Sequence, residues 1–183
     1  AVDATAGIYM SHESRVITAY FSADSGGHTE DASNVWAVQA PYCMAKKEIY
    51  DPSEVPGPWT KTVSYATLSA KLIEKGVIPN GSIVDHVAVA ERFPSGRARS
   101  INVSLKGDFH RAVEVLATDF AHFVGLSSTL ISFAIQTSGF RIDGHGNGHG
   151  AGMSQWGAKA LADGLGWDAR QILNFYYTDI TIN

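Results

Sequence analysis

The glycine-rich segment 144–155, GHGNGHGAGMSQ, constrains the fold of this chain more than any other part of the sequence. It places five glycines at alternate positions across nine residues, with His145 and His149 between them. Glycine has no Cβ atom, so it tolerates positive φ and close approach of another backbone or of a ligand. This spacing indicates an unusual backbone path that leads into a helix beginning at Ser154 or Gln155.

Three interpretations of this segment remain open from the residues alone. In the first, the glycines allow a tight structural crossing and the histidines hydrogen-bond to backbone groups. In the second, the two histidines bind a metal ion with a third ligand such as His28 or Asp24. The third is a glycine-floored binding site at a helix N-terminus, where a few side chains supply polar contacts. Those side chains are His145 or His149, together with Ser154 and Gln155.

Nucleotide-binding loops do not fit the glycine-rich segment. No βαβ unit follows it, no acidic residue stands at the end of a second strand, and there is no GK[ST] triplet. The histidine pair also lacks the glutamate of an HExxH zinc helix.

Composition limits the possible classes of protein. The chain has 183 residues, of which 45% are hydrophobic and 17% charged, so it can bury enough apolar surface to fold. Its net charge of −4 argues against a nucleic-acid partner, because no basic stripe is present to neutralise phosphates. The single cysteine, Cys43, excludes an internal disulfide and a cysteine-based metal site.

Hydrophobic patterns predict one α+β domain over residues 1–183, with a strand-rich centre, short helices and two C-terminal helices after the glycine-rich segment. A hairpin is predicted over 5–21, a polar loop over 22–34 and an irregular, aromatic-rich excursion over 35–59. Further strands are predicted at 83–92, 97–106, 109–115, 130–136 and 139–143. The predicted helices run from the cap Ser64 to Lys75, from Thr118 or Asp119 to Val124, from Ser154 or Gln155 to about Ala162 before Gly164, and onward from the capping box Asp168–Gln171.

The polar stretch 22–30, SADSGGHTE, is a second candidate for chemistry. Ser25 and His28 suggest a nucleophile and a base, but no strand–elbow–helix G-x-S-x-G context surrounds them, and a solvated loop is the commoner outcome. Trp36 and Trp156 border the two polar segments and are candidates for stacking on sugar rings, although most aromatic side chains belong to the core.

Several stretches resemble the stage II sporulation protein D family, also called the sporulation-D/LytB amidase-enhancer domain. The similarity is most specific at the C-terminal end, where GHGAGMSQWGA is followed by a helix and a Tyr-Tyr pair. The matching stretches are AVDATAGIYM, ITAYFSADSGGHTEDASNVW, APY, LATDFAHFVGLSSTLISF and GHGNGHGAGMSQWGAKALADGLGWDARQILNFYYTDITI.

This resemblance implies peptidoglycan work outside the cytoplasm. The sporulation member looks like a lytic transglycosylase that cleaves glycan strands stripped of stem peptides, in cooperation with an amidase. The expected partners are therefore peptidoglycan glycan strands and a cell-wall amidase, and the expected location is extracytoplasmic, in a secreted or membrane-anchored parent protein. The alternatives are a non-catalytic peptidoglycan-binding or amidase-enhancing module and, more distantly, a metal-dependent hydrolase that uses His28, His145 and His149.

The resemblance also bears on the site residues. In this family the catalytic glutamate lies in a G-V-x-x-E-M-P motif before the A-V-x-x-T-x-G segment, and we expect this sequence to begin after that motif. Glu13, Glu30, Glu48 and Glu54 lie in unrelated contexts, so no catalytic residue is assigned. No cofactor or metal ligand is expected. The expected substrate-binding residues are Ser25, Gly26, Gly27, His28, Thr29, Trp36, His145, Gly148, His149, Met153, Ser154 and Gln155.

Overall fold

The computed structural model describes residues 5–36, 38–50, 53, 55–106 and 108–183, and the chain divides into two compact units. The terminal unit combines residues 1–56 and 147–183, and the central unit is the continuous stretch 57–146. The predicted α+β class, the strand-rich centre and the two C-terminal helices are confirmed. That residues 1–183 form one peptidoglycan-active domain stays a prediction.

The helices and strands are short. In chain order the strands are β1 (Met10–His12), β2 (Arg15–Val16), β3 (Phe21–Ser22), β4 (Trp59–Ser64), β5 (Val84–Arg92), β6 (Ala98–Leu105), β7 (Asp108–Leu116), β8 (Leu130–Gln136), β9 (Gly139–His145), β10 (Met153–Ser154) and β11 (Thr181–Ile182). The helices are α1 (Ala32–Trp36), α2 (Tyr65–Glu74), α3 (Ala117–Val124), α4 (Gln155–Leu165) and α5 (Ala169–Tyr176).

The central unit contains two antiparallel sheets, with strand orders β5-β6-β7 and β4-β9-β8. Helix α2 contributes Leu68 and Leu72 to its core, and α3 contributes Phe120. Phe120, Phe133 and Phe140 pack as tilted and edge-to-face rings, with 5.5 Å between the centroids of Phe133 and Phe140. The core of this unit therefore lies where apolar faces of its helices and strands meet.

The terminal unit joins the two ends of the chain. Its three-stranded sheet has the order β11-β1-β2, with Met10 opposite Ile182, and β3 pairs with β10 in parallel. Tyr177 packs in the core of α4 and α5, where burial raises the pKa of its phenol to about 12, and its hydroxyl donates to the carbonyl of Tyr20 over 2.7 Å. Burial likewise raises the pKa of the Cys43 thiol to about 11, which leaves the side chain a small apolar core residue.

Two predicted helix caps are confirmed. The hydroxyl of Ser64 accepts from the amide of Thr67 at 3.0 Å, and Asp168 and Gln171 form the reciprocal capping box with two bonds of 2.9 Å. Within the described ranges, no helix has the length and apolar character needed to cross a bilayer.

Several boundaries differ from the prediction. Helix α4 continues through Gly164 and ends at Gly166, whose φ of +67° gives the left-handed cap that stops it. Helix α3 begins at Ala117 without a side-chain cap, and the second strand of the first hairpin ends at Val16. Helix α1 and strand β4 were not predicted. Strand β4 is paired with the distant β9, whereas α1 has a local cap that the spacing offered, since the amide of Ser33 donates to Oδ1 of Asp31 at 2.8 Å. Residues 1–4 of the AVDATAGIYM stretch and Glu54 lie outside the described residues.

Replacing Phe140 by Ala tests the core of the central unit. Phe140 is fully buried, so its truncation removes apolar contacts and leaves a cavity; we expect it to lower the free energy of unfolding by about 3–5 kcal/mol. The matched control is Ile83→Ala at a side chain that is 53% exposed, for which we expect a loss below about 1 kcal/mol. Denaturant unfolding measures both, and equal losses would contradict this placement of the core.

Candidate functional site

Residues 147–154 lie against residues 20–30 of the same unit and are held there by backbone hydrogen bonds. The amide of Asp24 donates to the carbonyl of Asn147 at 3.0 Å, and the reverse bond is 2.8 Å. The amide of Glu30 donates to the carbonyl of Gly150 at 2.9 Å, and that of Met153 to the carbonyl of Tyr20 at 3.1 Å. Two stretches far apart in sequence therefore form one backbone framework.

Two glycines of this framework occupy positions where a side chain does not fit. At Gly152, with φ of +72°, a Cβ atom would lie 1.9 Å from the carbonyl oxygen of Tyr20. At Gly148, with φ of +105°, it would lie 2.9 Å from the Cβ of Ser22. Both positions need glycine for backbone conformation and for space. The interpretation as a tight structural crossing is therefore correct for this part of the segment.

An aromatic stack of Tyr20, Trp36 and His149 lies on the framework. Tyr20 and Trp36 are stacked with 4.5 Å between ring centroids and 28° between ring planes. His149 meets the indole edge-on, again at 4.5 Å. Trp36 is the last residue of α1 and remains 39% exposed, whereas Tyr20 and His149 are half-buried. The indole therefore contacts two other rings while part of it faces solvent.

His149 is also tied to the backbone of its own loop. Its Nδ1 accepts a hydrogen bond of 3.0 Å from the amide of Ala151. A ring nitrogen that accepts carries no proton, so in the neutral imidazole the proton is on Nε2. The structural-crossing interpretation and the binding-site interpretation are therefore compatible. His149 makes the backbone hydrogen bond that the first expects, and it also contacts the partly exposed Trp36, as the second requires.

The Ser-Gly-Gly turn is closed by its own side chains. The amide of Gly26 donates to Oδ1 of Asp24 at 2.9 Å, and the amide of Gly27 donates to the hydroxyl of Ser25 at 3.1 Å. These are local Asx-type and Ser-type turns, which fix the backbone without help from a ligand. Ser25 is fully buried, so its hydroxyl has a structural role in the turn.

Ser154 joins this turn to helix α4. Its hydroxyl accepts from the amide of Gly157 at 3.1 Å, as an N-cap does, and from the amide of Ser25 at 3.2 Å. Ser154 is fully buried, and the neighbouring Gln155 is exposed. Of these two predicted polar contacts, only Gln155 therefore reaches the surface.

A buried carboxylate lies behind the turn. Glu48 is only 7% exposed; its Oε2 accepts from the hydroxyls of Ser25 and Tyr50, the latter at 2.6 Å, and its Oε1 accepts from the hydroxyl of Tyr176. Three donors point at this one group, so it acts as a hydrogen-bond acceptor and is not placed to donate a proton to a substrate.

The pKa values of the two tyrosines reflect this arrangement. Burial is the main cause that raises the pKa of Tyr50 and of Tyr176 well above the usual range, and the negative charge of Glu48 and the hydrogen bonds to it add to the increase. Both phenols therefore stay protonated and keep donating to the carboxylate at any physiological pH.

The structure separates the predicted site residues by contact, by burial and by unit. Trp36 and His149 are in ring contact. His28 is half-buried and Gln155 is exposed. Ser25, Thr29 and Ser154 are buried, whereas Gly26, Gly27, Gly148 and Met153 are backbone or half-buried parts of the framework. His145 is exposed on β9 in the central unit. Substrate binding by these residues stays a prediction.

Two chemical hypotheses from the sequence lose support. The hydroxyl hydrogen of Ser25 is donated to Glu48, and Nδ1 of His28 donates to the carbonyl of Thr29 at 2.8 Å, so the pair is not arranged as a nucleophile and its base. Among the residues that the structure describes, no three His, Cys, Asp or Glu side chains come together in a way that would hold a metal ion.

Sequence reasoning missed Tyr20, Glu48, Tyr50 and Tyr176. Glu48 and Tyr50 lie in a segment without helix or strand, so no period signals their contact. A charged residue beside two lysines is exposed far more often than buried.

The comparisons with known proteins concern the whole chain. No protein-family model matches it. It is 33% identical over 187 residues to an uncharacterized protein of Brachyspira hyodysenteriae, covering 100% of this chain and 47% of that protein. The amidase enhancer of Bacillus subtilis is 27% identical over 228 residues, covering 100% of this chain and 32% of that protein. Stage II sporulation protein D of Bacillus amyloliquefaciens is 28% identical over 184 residues, covering 100% of this chain and 50% of that protein. The chain spans half or less of the length of these curated relatives.

Replacing Gly152 by Ala tests the close approach in the framework. The new Cβ would overlap the carbonyl of Tyr20, and we expect the free energy of unfolding to fall by more than about 3 kcal/mol. Gly166→Ala is the matched control, because its φ of +67° is similar but nothing lies within 4 Å of the added atom. We expect that control to lose about 1 kcal/mol in denaturant unfolding. Equal losses would mean that φ alone, without the steric contact, requires glycine at residue 152.

Proposed function

The chain is related to the family of stage II sporulation protein D and the amidase enhancers, and on that premise we propose that it binds and remodels glycan strands of the cell wall. The names of the relatives support a role related to the cell wall. The finer proposal is that the chain forms the glycan-binding part of a lytic transglycosylase that acts on strands without stem peptides, outside the cytoplasm.

The aromatic stack is the observation that carries this proposal. Sugar rings present faces of C–H groups, which pack well on the faces of aromatic side chains. Trp36 is partly exposed and is held by Tyr20 and His149, so it loses little conformational freedom when a ligand covers it. A rigid, partly exposed indole on a glycine-containing framework suits a glycan better than an ionic ligand.

Two polar side chains of the same unit fit the same ligand. The half-buried His28 and the exposed Gln155 have polar groups that can form hydrogen bonds with the hydroxyl and acetamido groups of a sugar. We assign them as the polar contacts of the proposed site. Ser25 and Ser154 support the backbone beneath it and do not contact the glycan.

The proposed cleavage needs one carboxyl group that protonates the glycosidic oxygen and then deprotonates the sugar hydroxyl that closes an anhydro ring. Glu48 is saturated with hydroxyl donors, and Glu30 is buried and accepts from the amide of Asp31 and the side chain of Asn34, each at 2.9 Å. Neither is arranged as that acid. We therefore propose that the acid is the glutamate of the G-V-x-x-E-M-P motif that the family resemblance implies, and that the surface around Trp36 binds the strand.

A second candidate function is enhancement of a cell-wall amidase, without cleavage of glycan by this chain. The printed name of the Bacillus subtilis relative, amidase enhancer, favours it. Both functions need a glycan-binding surface, but only the first needs the acid–base carboxyl. The products of the reaction therefore distinguish them.

Replacing Trp36 by Ala tests glycan binding. We expect the affinity for stem-peptide-free glycan strands, measured by calorimetry, to fall about tenfold or more because the stacking surface is lost. Trp156→Ala tests the other tryptophan that the sequence suggested for sugar stacking. Trp156 is 40% exposed and does not belong to the aromatic stack, so we expect less than about a twofold change. Equal effects in the two variants, or none in Trp36→Ala, would contradict the proposed site.

Product analysis tests the proposed reaction. The mass of the intact protein is measured first, and the protein is then incubated with stem-peptide-free strands. Anhydro-sugar ends in the mass spectrum support the transglycosylase proposal. Binding without such ends, together with faster release of stem peptides when a cell-wall amidase is added to whole peptidoglycan, supports the enhancer function instead.

A further inference from the structure

We propose that Glu48 is a positioning residue for the glycan site, through a set of hydrogen bonds that fixes the loop carrying His149. The inference rests on the proposed function, because it concerns the same binding surface. Glu48 is only 7% exposed, so it acts from beneath that surface and not by contact with the glycan.

The carboxylate of Glu48 joins three segments that are distant in sequence. It accepts from Ser25 in the Ser-Gly-Gly turn, from Tyr50 in its own segment at 2.6 Å, and from Tyr176 at the end of α5. The backbone amide of Glu48 also donates to the carbonyl of Gly27 at 3.0 Å. Both the side chain and the main chain of Glu48 therefore hold the turn.

Helix α4 closes the remaining side of the carboxylate. A Cβ atom on Gly157 would lie 2.3 Å from Oε1 of Glu48 and 2.2 Å from the hydroxyl of Tyr176. The absence of a side chain at Gly157 thus lets the first turn of α4 lie directly against the carboxylate. The positive end of the helix dipole adds to the stabilisation of the negative charge there.

The turn transmits this constraint to the aromatic stack. Ser25 is bound to Glu48, and the adjacent Asp24 exchanges two backbone hydrogen bonds with Asn147, at 3.0 and 2.8 Å. Asn147 is two residues before His149, whose ring makes a T-shaped contact with the indole of Trp36 at 4.5 Å between centroids. A displacement of the turn would therefore move the histidine away from the indole.

The chemistry of the three donors requires a carboxylate at residue 48. A glutamine has the same shape but only one acceptor oxygen, and its amide group brings two hydrogens toward hydroxyl hydrogens. One or more of the hydroxyls of Ser25, Tyr50 and Tyr176 must then turn away. A buried hydroxyl donor without an acceptor costs free energy of folding, so we expect the turn to shift from its position.

The variant Glu48→Gln tests the proposal in the intact protein. We expect its affinity for stem-peptide-free glycan strands to fall about tenfold, while its circular dichroism at low temperature stays that of the parent protein. A double-mutant cycle with Trp36→Ala gives an independent signature. Because Glu48 acts on the glycan through the contact of His149 with Trp36, Glu48→Gln should cost no further affinity once Trp36 has been replaced.

Glu91→Gln is the matched control, since Glu91 is an exposed carboxylate of the central unit that pairs with Arg99 at 3.1 Å. It should leave the glycan affinity unchanged, both alone and together with Trp36→Ala. If Glu48→Gln does not fold, Tyr176→Phe replaces it: one donor is removed, two remain, and a loss of affinity of about threefold is expected.

The outcomes distinguish this proposal from the proposed function. If the unsubstituted protein binds glycan and folded Glu48→Gln or Tyr176→Phe binds it equally well, the positioning role is overturned and the function stands. If the unsubstituted protein binds no glycan, the function fails and the positioning role fails with it. Loss of affinity in the variant but not in the control supports both.

Discussion

The terminal unit depends on the contact between the backbone of Gly152 and the carbonyl of Tyr20. The amide of Met153 donates to that carbonyl, and no Cβ atom fits between the two chains. The parallel pairing of β3 with β10 follows from this contact, as does the path of the loop that carries His149. The hydroxyl of Tyr177 also donates to the same carbonyl, so the C-terminal helix is fixed to the same point.

Glycine and glutamate have complementary roles around this framework. Gly152 lets two backbones approach closely, and Gly148 and Gly157 leave room for neighbouring side chains. The buried carboxylate of Glu48 then accepts from the hydroxyls that surround it. Such a polar cluster is stable only when each member has a partner, because an unmet donor or charge in a buried site is costly. The result is a rigid base beneath a surface that holds one partly exposed indole in place.

A rigid surface of this kind suits the recognition of a polymer with a repeating sugar unit. Held rings lose little freedom when the ligand binds, so more of the stacking free energy appears as affinity. The polar residues that the sequence suggested for direct contacts are divided by the structure: Ser25 and Ser154 support the base, whereas Trp36 belongs to its exposed side. The names of the relatives support a cell-wall-related role, which the ring stack alone does not indicate.

The sequence by itself determined the features that depend on local chemistry. The caps at Ser64 and Asp168, the long strands of the central unit and the need for glycine at the crossing follow from spacing between nearby residues, and the extended motifs indicated the family. Only the tertiary structure decided that Glu48 is buried, that Tyr20 and His149 meet Trp36, and that His145 lies in the other unit. The reason is physical: burial and ring contact are set by segments far apart in the chain, and a single sequence has no period or spacing that records such distances.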